Sequence, residues 1–430
     1  MLCPLVTSPN SARLAGRVRD IVPSGDAVIE TSQGIVFSRG GLVGEAVQLS
    51  LEPKSGRVRR ARIVAIEQAS AERVQPPCAY VERCGGCCLM HASLAEQRAL
   101  QQRFLRDALL KAGAPSTLET RFTSSDQTLG YRRRARLSFR KLRGVMQLGF
   151  RRERSHDVID IDRCLVLAAP LQAALGRLRT SVAPLLEGEG ELSLAVGRGG
   201  AAVVVIRSAQ PQSPALYTAC AGLVDGEGIS GAALYVAGTS KPAVFGDPRE
   251  WSEGFDGLPL EGTIGGFSQA HAAINRALVQ RVRELAQPTG MRVLELYAGA
   301  GNFTVALAPE AQSYVAVEQA PDAVAALKQN LAARSIVAKV VEGDVAQKLV
   351  GGPLDVVVLD PPRTGAPGVL VALSVRKPKR IVYVSCDPAT LGRDVGELLT
   401  RGYALRFAEA FEMFPQTADL ESVVLLERQN

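Results

Sequence analysis

The sequence predicts an α/β protein in three parts: a small N-terminal β-barrel, a central β-rich region and a C-terminal doubly wound sheet. Two patterns carry this expectation. Short strand-like runs separated by Gly, Pro, Ser and Asp fill residues 11–69, the signature of a small barrel. From about Gly265 onward, long apolar runs alternate with helical patterns, as in a mostly parallel sheet with helices on both faces. The 430 residues suffice for two or three cores.

Taken in order, Ala15-Gly16-Arg17-Val18, Ala27-Val28-Ile29-Glu30, Gly34-Ile35-Val36-Phe37, Glu45-Ala46-Val47-Gln48-Leu49 and Ala61 to Ile66 are the barrel strands. Residues 74–262 form the second region. It opens on a cysteine-rich stretch and on helical spacing over 93–112, a helix expected to pack on the last domain. Strand-like runs follow to about Ser208, interrupted by a helix near Pro170–Leu186. Residues 263–430 hold the runs Val293–Leu296, Ser313–Val317, Ala338–Val341, Leu354–Leu359 and Arg380–Val384, a Rossmann-like pattern.

The formal net charge is +7, which favours an acidic partner such as nucleic acid. Met1 to Asn10 lacks a basic stretch followed by an apolar run. No run approaches the roughly 18 apolar residues of a membrane span. The expectation is a cytoplasmic chain without membrane contact, acting as a monomer with no protein partner. Its eight cysteines are therefore candidates for metal binding or catalysis before disulfides.

Five strand ends carry chemistry. Val293–Leu296 runs into Tyr297-Ala298-Gly299-Ala300-Gly301-Asn302-Phe303-Thr304, where Gly299 and Gly301 let backbone approach a ligand. The next strand ends in Glu318, placed to hold a ribose hydroxyl pair. Thr304 stands where a dinucleotide fingerprint has its third glycine, so the ligand is expected to be S-adenosylmethionine rather than NAD. Asp344 follows the third strand and can meet an adenine edge. Asp360-Pro361-Pro362-Arg363 follows the fourth; an arginine in place of an aromatic argues against methylation of an exocyclic amine. Cys386 ends the fifth strand. A thiolate there is a nucleophile and a buried thiol is inert, and position alone does not choose between them. Glu421, just before Val423–Leu426, is a candidate base.

Cys78, Cys84 and Cys87 are compactly spaced around Gly85-Gly86, with Cys164 as the candidate fourth ligand. Four thiolates suit tetrahedral zinc or an iron–sulfur cluster, and the spacing leaves both open. Tyr131 to Arg154 holds ten basic residues and one acid. Arg134, Arg136 and Arg140 alternate with apolar residues on one strand face. Tyr131, Arg132 and Arg134 are the expected RNA contacts, by stacking and by phosphate neutralisation.

Ser385-Cys386-Asp387-Pro388-Ala389-Thr390-Leu391, Asp360-Pro361-Pro362-Arg363, Phe414-Pro415-Gln416-Thr417 and the Leu296–Phe303 loop together resemble the RNA 5-methyluridine methyltransferase family. The resemblance runs from about Ser11 to Arg428. It implies Cys386 as a nucleophile that adds to C6 of uracil, so that C5 can take a methyl group. It implies Glu421 as the base that then removes the C5 proton. It implies S-adenosylmethionine contacts from Gln269, Tyr297, Asn302, Glu318, Asp344 and Asp360. It shifts the cysteine site to a 4Fe-4S cluster held by Cys78, Cys84, Cys87 and Cys164, with a stabilising role. The barrel, with Gly40-Gly41-Leu42-Val43-Gly44-Glu45, resembles the TRAM RNA-binding domain. The combination is most similar to members that modify large-subunit (23S) ribosomal RNA; a transfer-RNA T-loop uridine is the alternative. A 5-methylcytidine enzyme would place a second cysteine by Asp360-Pro361-Pro362, and none is there. A non-catalytic RNA-binding protein of the same fold is supported by Asp387 and Asp419, which depart from the family beside the two reacting residues. His271 also departs, standing in place of Asn.

Overall fold

A computed structural model describes residues 13–53, 56–224, 228–347 and 354–429. The first unit holds β1 (Leu14–Ile21), β2 (Asp26–Thr31), β3 (Gly34–Arg39), β4 (Ala46–Leu51) and β5 (Ala61–Gln68) in the order β3-β2-β1-β4-β5. The amide of Phe37 donates to Arg59 O (3.0 Å) and so joins β3 to the β5 end of the sheet. Every second residue points inward, and Val18, Ile29, Val36, Val47 and Leu49 form a small separate core.

Helix α1 (Leu94–Lys111) and strand β6 (Thr120–Thr123) come next. Ser93 caps α1 by accepting the Glu96 amide at 3.1 Å. The central unit then forms from β7 (Arg134–Leu142), β8 (Val145–Arg151), β9 (Val158–Asp160), α2 (Ala169–Ser181), β10 (Glu189–Val196), β11 (Ala202–Ser208), α3 (Pro214–Leu223), β12 (Ile229–Val236) and β13 (Ala243–Gly246). Its seven strands run in the order β13-β12-β11-β10-β7-β8-β9. Strand β7 is thus interior, and its inward Ala135, Leu137 and Phe139 share one core with α2 and α3. A ribbon of β14 (Arg249–Glu253) and β15 (Pro259–Ile264) leads on.

The last unit holds α4 (Ala272–Ala286), β16 (Arg292–Leu296), α5 (Thr304–Leu307), β17 (Ser313–Glu318), α6 (Pro321–Ala332), β18 (Lys339–Glu342), β19 (Val356–Leu359), α7 (Pro367–Arg376), β20 (Arg380–Ser385), α8 (Pro388–Thr400), β21 (Tyr403–Phe411) and β22 (Glu421–Arg428). The eight-stranded order is β18-β17-β16-β19-β20-β22-β21-β6. Strands β16 to β20 are parallel, and β22 is antiparallel to both its neighbours. Their apolar runs are buried on both faces, as parallel strands between helix layers require. The sheet's edge strand, β6, comes from far upstream and pairs parallel with β21. Helix α1 buries Leu100, Phe104, Leu105 and Leu109 in the same core as β19, β20 and α8.

Among the described residues no helix is long and apolar enough to cross a membrane. Helices α1 and α8 approach so closely that a Cβ on Gly392 would lie 2.7 Å from Ala108 O. Gly392→Val is therefore expected to push the helices apart and cost ~1–3 kcal/mol of stability, read as a lowered urea midpoint.

Candidate active site

Parallel β16, β17, β19 and β20 end on one edge of the sheet, so Tyr297, Glu318, Asp360 and Cys386 gather there. Antiparallel β22 starts on that same edge. Its register opposes Ser422 to Ser385, and the Ser422 hydroxyl donates to Ser385 O at 2.8 Å. Cys386 and Glu421 are the next residues outward on each strand, and they come together. The loop after β16 lies where strand order reverses between β17 and β19, the place where open α/β sheets bind ligands.

The β16 loop is shaped by three positive φ angles, at Tyr297 (63°), Gly299 (55°) and Gly301 (99°). A Cβ on Gly301 would sit 2.6 Å from Leu327 Cδ1, whereas one on Gly299 would face open space. Glu318 receives the amides of Gly299 (2.9 Å), Gln319 and Ala320 (both 2.8 Å), which fixes the loop against the next strand. The amides of Asn302 and Asn275 pair reciprocally at 2.9 and 3.0 Å. Thr304, the residue that displaces the third glycine, donates to buried Glu295 at 2.5 Å, and the Tyr314 hydroxyl donates to the same oxygen at 2.8 Å. Burial pushes Glu295 up to about 7. This Glu295–Thr304–Tyr314 knot was not singled out in the sequence, although an acid inside an apolar strand is its signal. Asp344 accepts the Ala346 amide at 3.0 Å and lies near enough to Tyr297 to add to the effect of burial on that phenol. Gln269 precedes α4, and its Oε1 is buried without a partner.

Around the thiol the charges are tightly matched. Cys386 is half-buried. Burial first, then Glu421 and Asp360, push its thiol up to about 11, while a hydrogen bond and the charge from Arg363 pull the other way. Glu421 is 2% exposed, and one carboxylate oxygen has no partner. Burial and then Asp360 hold it well above the usual carboxylate range, against Arg363. Desolvation raises Asp360 as well. Two carboxyls and a thiol in one poorly solvated site oppose one another's ionisation, so the Cys386 thiol and Glu421 are both biased toward their neutral forms. Arg363 also pairs with Asp419 at 3.2 Å. In the sequence Arg363 argues against amine chemistry and completes the Asp360-Pro361-Pro362-Arg363 motif; its place beside the thiol is a tertiary fact.

The cysteines at 78, 84, 87 and 164 line one cavity of about 610 Å³ with Arg132, Arg136 and other cations. Their chemistry is uniform: Cys87 is pushed up to about 12 by burial and then by Cys164 and Cys84, with Arg132 opposing. A Cβ on Gly85 would lie 2.8 Å from Arg151 O, so the glycine lets this loop lie against the end of β8. Among the described residues no group of three or more His, Cys, Asp or Glu side chains is arranged to hold a metal ion.

The expected RNA contacts need correction. Tyr131 is 2% exposed. Its ring stacks on His271 with centroids 5.0 Å apart, and its hydroxyl donates to Pro415 O at 3.1 Å. It has no open face for a base. Arg134 is spent on the chain itself: it donates to Gly266 O (2.7 Å) and Ser268 O (3.4 Å) and lies over Phe267, supporting the segment that carries Gln269. Arg132 donates to Arg134 O at 3.1 Å and lines the cysteine cavity. His271 is fully buried and bonds Ser125 Oγ at 2.8 Å.

A doubly wound sheet with a glycine loop, a thiol and a carboxyl on its ligand edge has the make-up of a group-transfer enzyme. Comparison narrows it. The family pattern of tRNA (Uracil-5-)-methyltransferases matches residues 261–341 and 349–429. The 23S rRNA (uracil(1939)-C(5))-methyltransferase RlmD of Pseudomonas fluorescens is 35% identical over 403 residues, 91% of this chain and 87% of that one. The protein of the same name from Pseudomonas putida is 36% identical over 411 residues, covering 91% and 88%. In fold, the Pyrococcus abyssi tRNA (uracil-54, C5)-methyltransferase in complex with S-adenosyl-L-homocysteine superposes with a TM-score of 0.77 at 22% identity, over 96% of this chain and 99% of that one. The chain belongs to the RNA uracil-C5 methyltransferase family.

Glu421 titrates far above its ordinary value of 4.5. The folded state therefore holds a proton that the unfolded chain releases, and stability is lost as pH rises from about 4.5 through the folded-state value. Glu421→Gln removes this titration. Its melting temperature is expected to gain on the wild type as pH rises from 5 to 8; an unchanged difference across that range contradicts the assignment.

Proposed function

We propose that this protein transfers a methyl group from S-adenosylmethionine to C5 of a uridine in 23S ribosomal RNA, as a cytoplasmic monomer. The observation that carries the reading is the convergence of Cys386, Glu421 and Arg363 at the ligand edge. The relatives named above supply the RNA class.

S-adenosylmethionine supplies an electrophilic methyl group on a sulfonium when bound. Gln269, Tyr297, Gly299, Asn302, Glu318, Asp344 and Asp360 are the residues proposed to hold it. Asp360 and Glu421 ionise more readily beside such a positive charge. Arg363 donates to the Cys386 sulfur and favours its thiolate. The Cys386 thiol gives up its proton to solvent, its Sγ bonds to C6 of the flipped uracil, and the C5–C6 electron pair moves to make C5 nucleophilic. After C5 has taken the methyl group, Glu421 removes the C5 proton. The C5–C6 double bond reforms, and the C6–S bond breaks.

The four cysteine thiols fit a resident 4Fe-4S cluster. They line one cavity, and four thiolates are the donor set that such a cluster takes. Cys78, Cys84, Cys87 and Cys164 would hold it, and it would tie the loop before α1 to the segment after β9. The N-terminal barrel is proposed to act as a TRAM-type RNA-binding unit. Arg136 and Arg140, on the outer face of β7, take the phosphate-neutralising role; Arg136 is exposed and Arg140 half-buried, and their ion pairs with Glu191 and Glu189 are long, at 3.9 and 3.7 Å.

Two measurements test this. RNA bearing 5-fluorouridine is expected to form a denaturation-resistant adduct with the wild type, because fluorine cannot leave as a proton does. Mapping the trapped fragment separates 23S from transfer RNA. Cys386→Ala is expected to abolish the adduct and keep cofactor binding; an adduct that survives overturns the nucleophile. Cys84→Ala is expected to lose iron, and a fully folded, RNA-binding variant without iron rules out the stabilising role.

A further inference from the structure

Between β21 and β22 the chain runs through residues 412–420 to reach Glu421, and this strap is held from outside its own domain's sequence. Gln416 adopts φ 74°, a conformation that a non-glycine residue holds only under constraint. The constraint is Gln97 on α1: the Gln416 amide donates to Gln97 Oε1 at 2.9 Å, and Gln97 Nε2 donates to Gln416 Oε1 at 3.1 Å. One turn further along α1, Gln101 Nε2 donates to both Thr417 O and Asp419 O, each at 2.9 Å. From the cysteine loop, the Leu89 amide donates to Gln416 O at 3.0 Å.

Gln97 is 2% exposed and Gln101 1% exposed, four residues apart on the face of α1 that otherwise buries Leu100, Phe104, Leu105 and Leu109. Burying an amide is costly unless its atoms are paired, and Gln101 Oε1 has no partner. Leucine would pack that face without this cost. What the glutamines provide is a fixed backbone immediately before Glu421. They also fix Asp419, whose carboxylate holds Arg363 at 3.2 Å beside the thiol.

We propose that Gln97 and Gln101 are positioning residues for Glu421, fixing the strap so that the carboxylate meets the C5 proton after methyl transfer. The proposal rests on Glu421 being the base. It concerns one step: thiol addition and methyl transfer come before deprotonation, so a displaced base leaves a methylated enzyme–RNA adduct waiting to resolve.

The test uses the full-length protein and RNA carrying tritium at uridine C5. Gln101→Met and Gln97→Met keep side-chain volume and remove the amide. Relative to wild type, each is expected to keep KM for RNA and lower kcat by about ten- to a hundredfold, the effect of displacing a reacting group by about 1 Å. Tritium release is expected to slow in step with kcat and the fraction of enzyme held as denaturation-resistant adduct to rise, the outcome also expected of Glu421→Gln. Should Gln101→Met fail to fold, Gln101→Asn, which keeps the amide one methylene short, is read by the same criteria. Unchanged tritium release and adduct fraction overturn the proposal. So does a parallel loss of adduct and release, which marks damage to the nucleophile or the fold. A wild type that neither releases tritium nor traps 5-fluorouridine RNA refutes the methylation reading itself, a different result from an active wild type with silent variants.

Discussion

The antiparallel ladder between β20 and β22 is the contact on which the active site depends. Parallel strands deliver the cofactor loop and Cys386 to one edge of the sheet. A base for the same substrate must arrive on that edge too, and another parallel strand would present it only by its end. An antiparallel strand presents its start. The Ser385–Ser422 register then sets thiol and carboxyl side by side. A slip of one residue would turn Glu421 to the other face of the sheet.

That closeness has an electrostatic consequence. Glu421, Asp360 and Cys386 each raise the cost of ionising another, and Arg363 is the cation that opposes them. Burial and the neighbouring carboxyls therefore oppose ionisation of both the Cys386 thiol and Glu421. Asp419, which departs from the family pattern, makes sense in this setting. Its exposed carboxylate pairs with Arg363 at 3.2 Å.

The catalytic sheet is not built from one stretch of chain. Helix α1 supplies core, β6 supplies an edge strand, and the cysteine loop and Tyr131 reach the Pro415–Gln416 turn. Cys88, next to Cys87, accepts the Ala418 amide through sulfur at 3.2 Å. The cysteine cavity and the base are thus joined by a few residues of shared backbone.

The sequence by itself determined the periodic features. Strand and helix alternation, the glycine loop, the apolar runs of β19 and β20, and the placing of Cys386 after a buried strand all follow from local pattern. So did the grouping of four cysteines, which line one cavity in the fold. Tertiary structure alone decided which polar residues face water. Tyr131 and Arg134 read as a basic, aromatic RNA contact because charge and aromaticity are visible in sequence and burial is not. One is buried against His271, and the other braces the Gln269 segment. Gln97 and Gln416 are 319 residues apart, and an amide pair over that distance leaves no periodic trace. Local patterns record what a residue's immediate neighbours must bury. Contacts between distant polar groups exist only once packing has brought them together, and they set the geometry at Glu421.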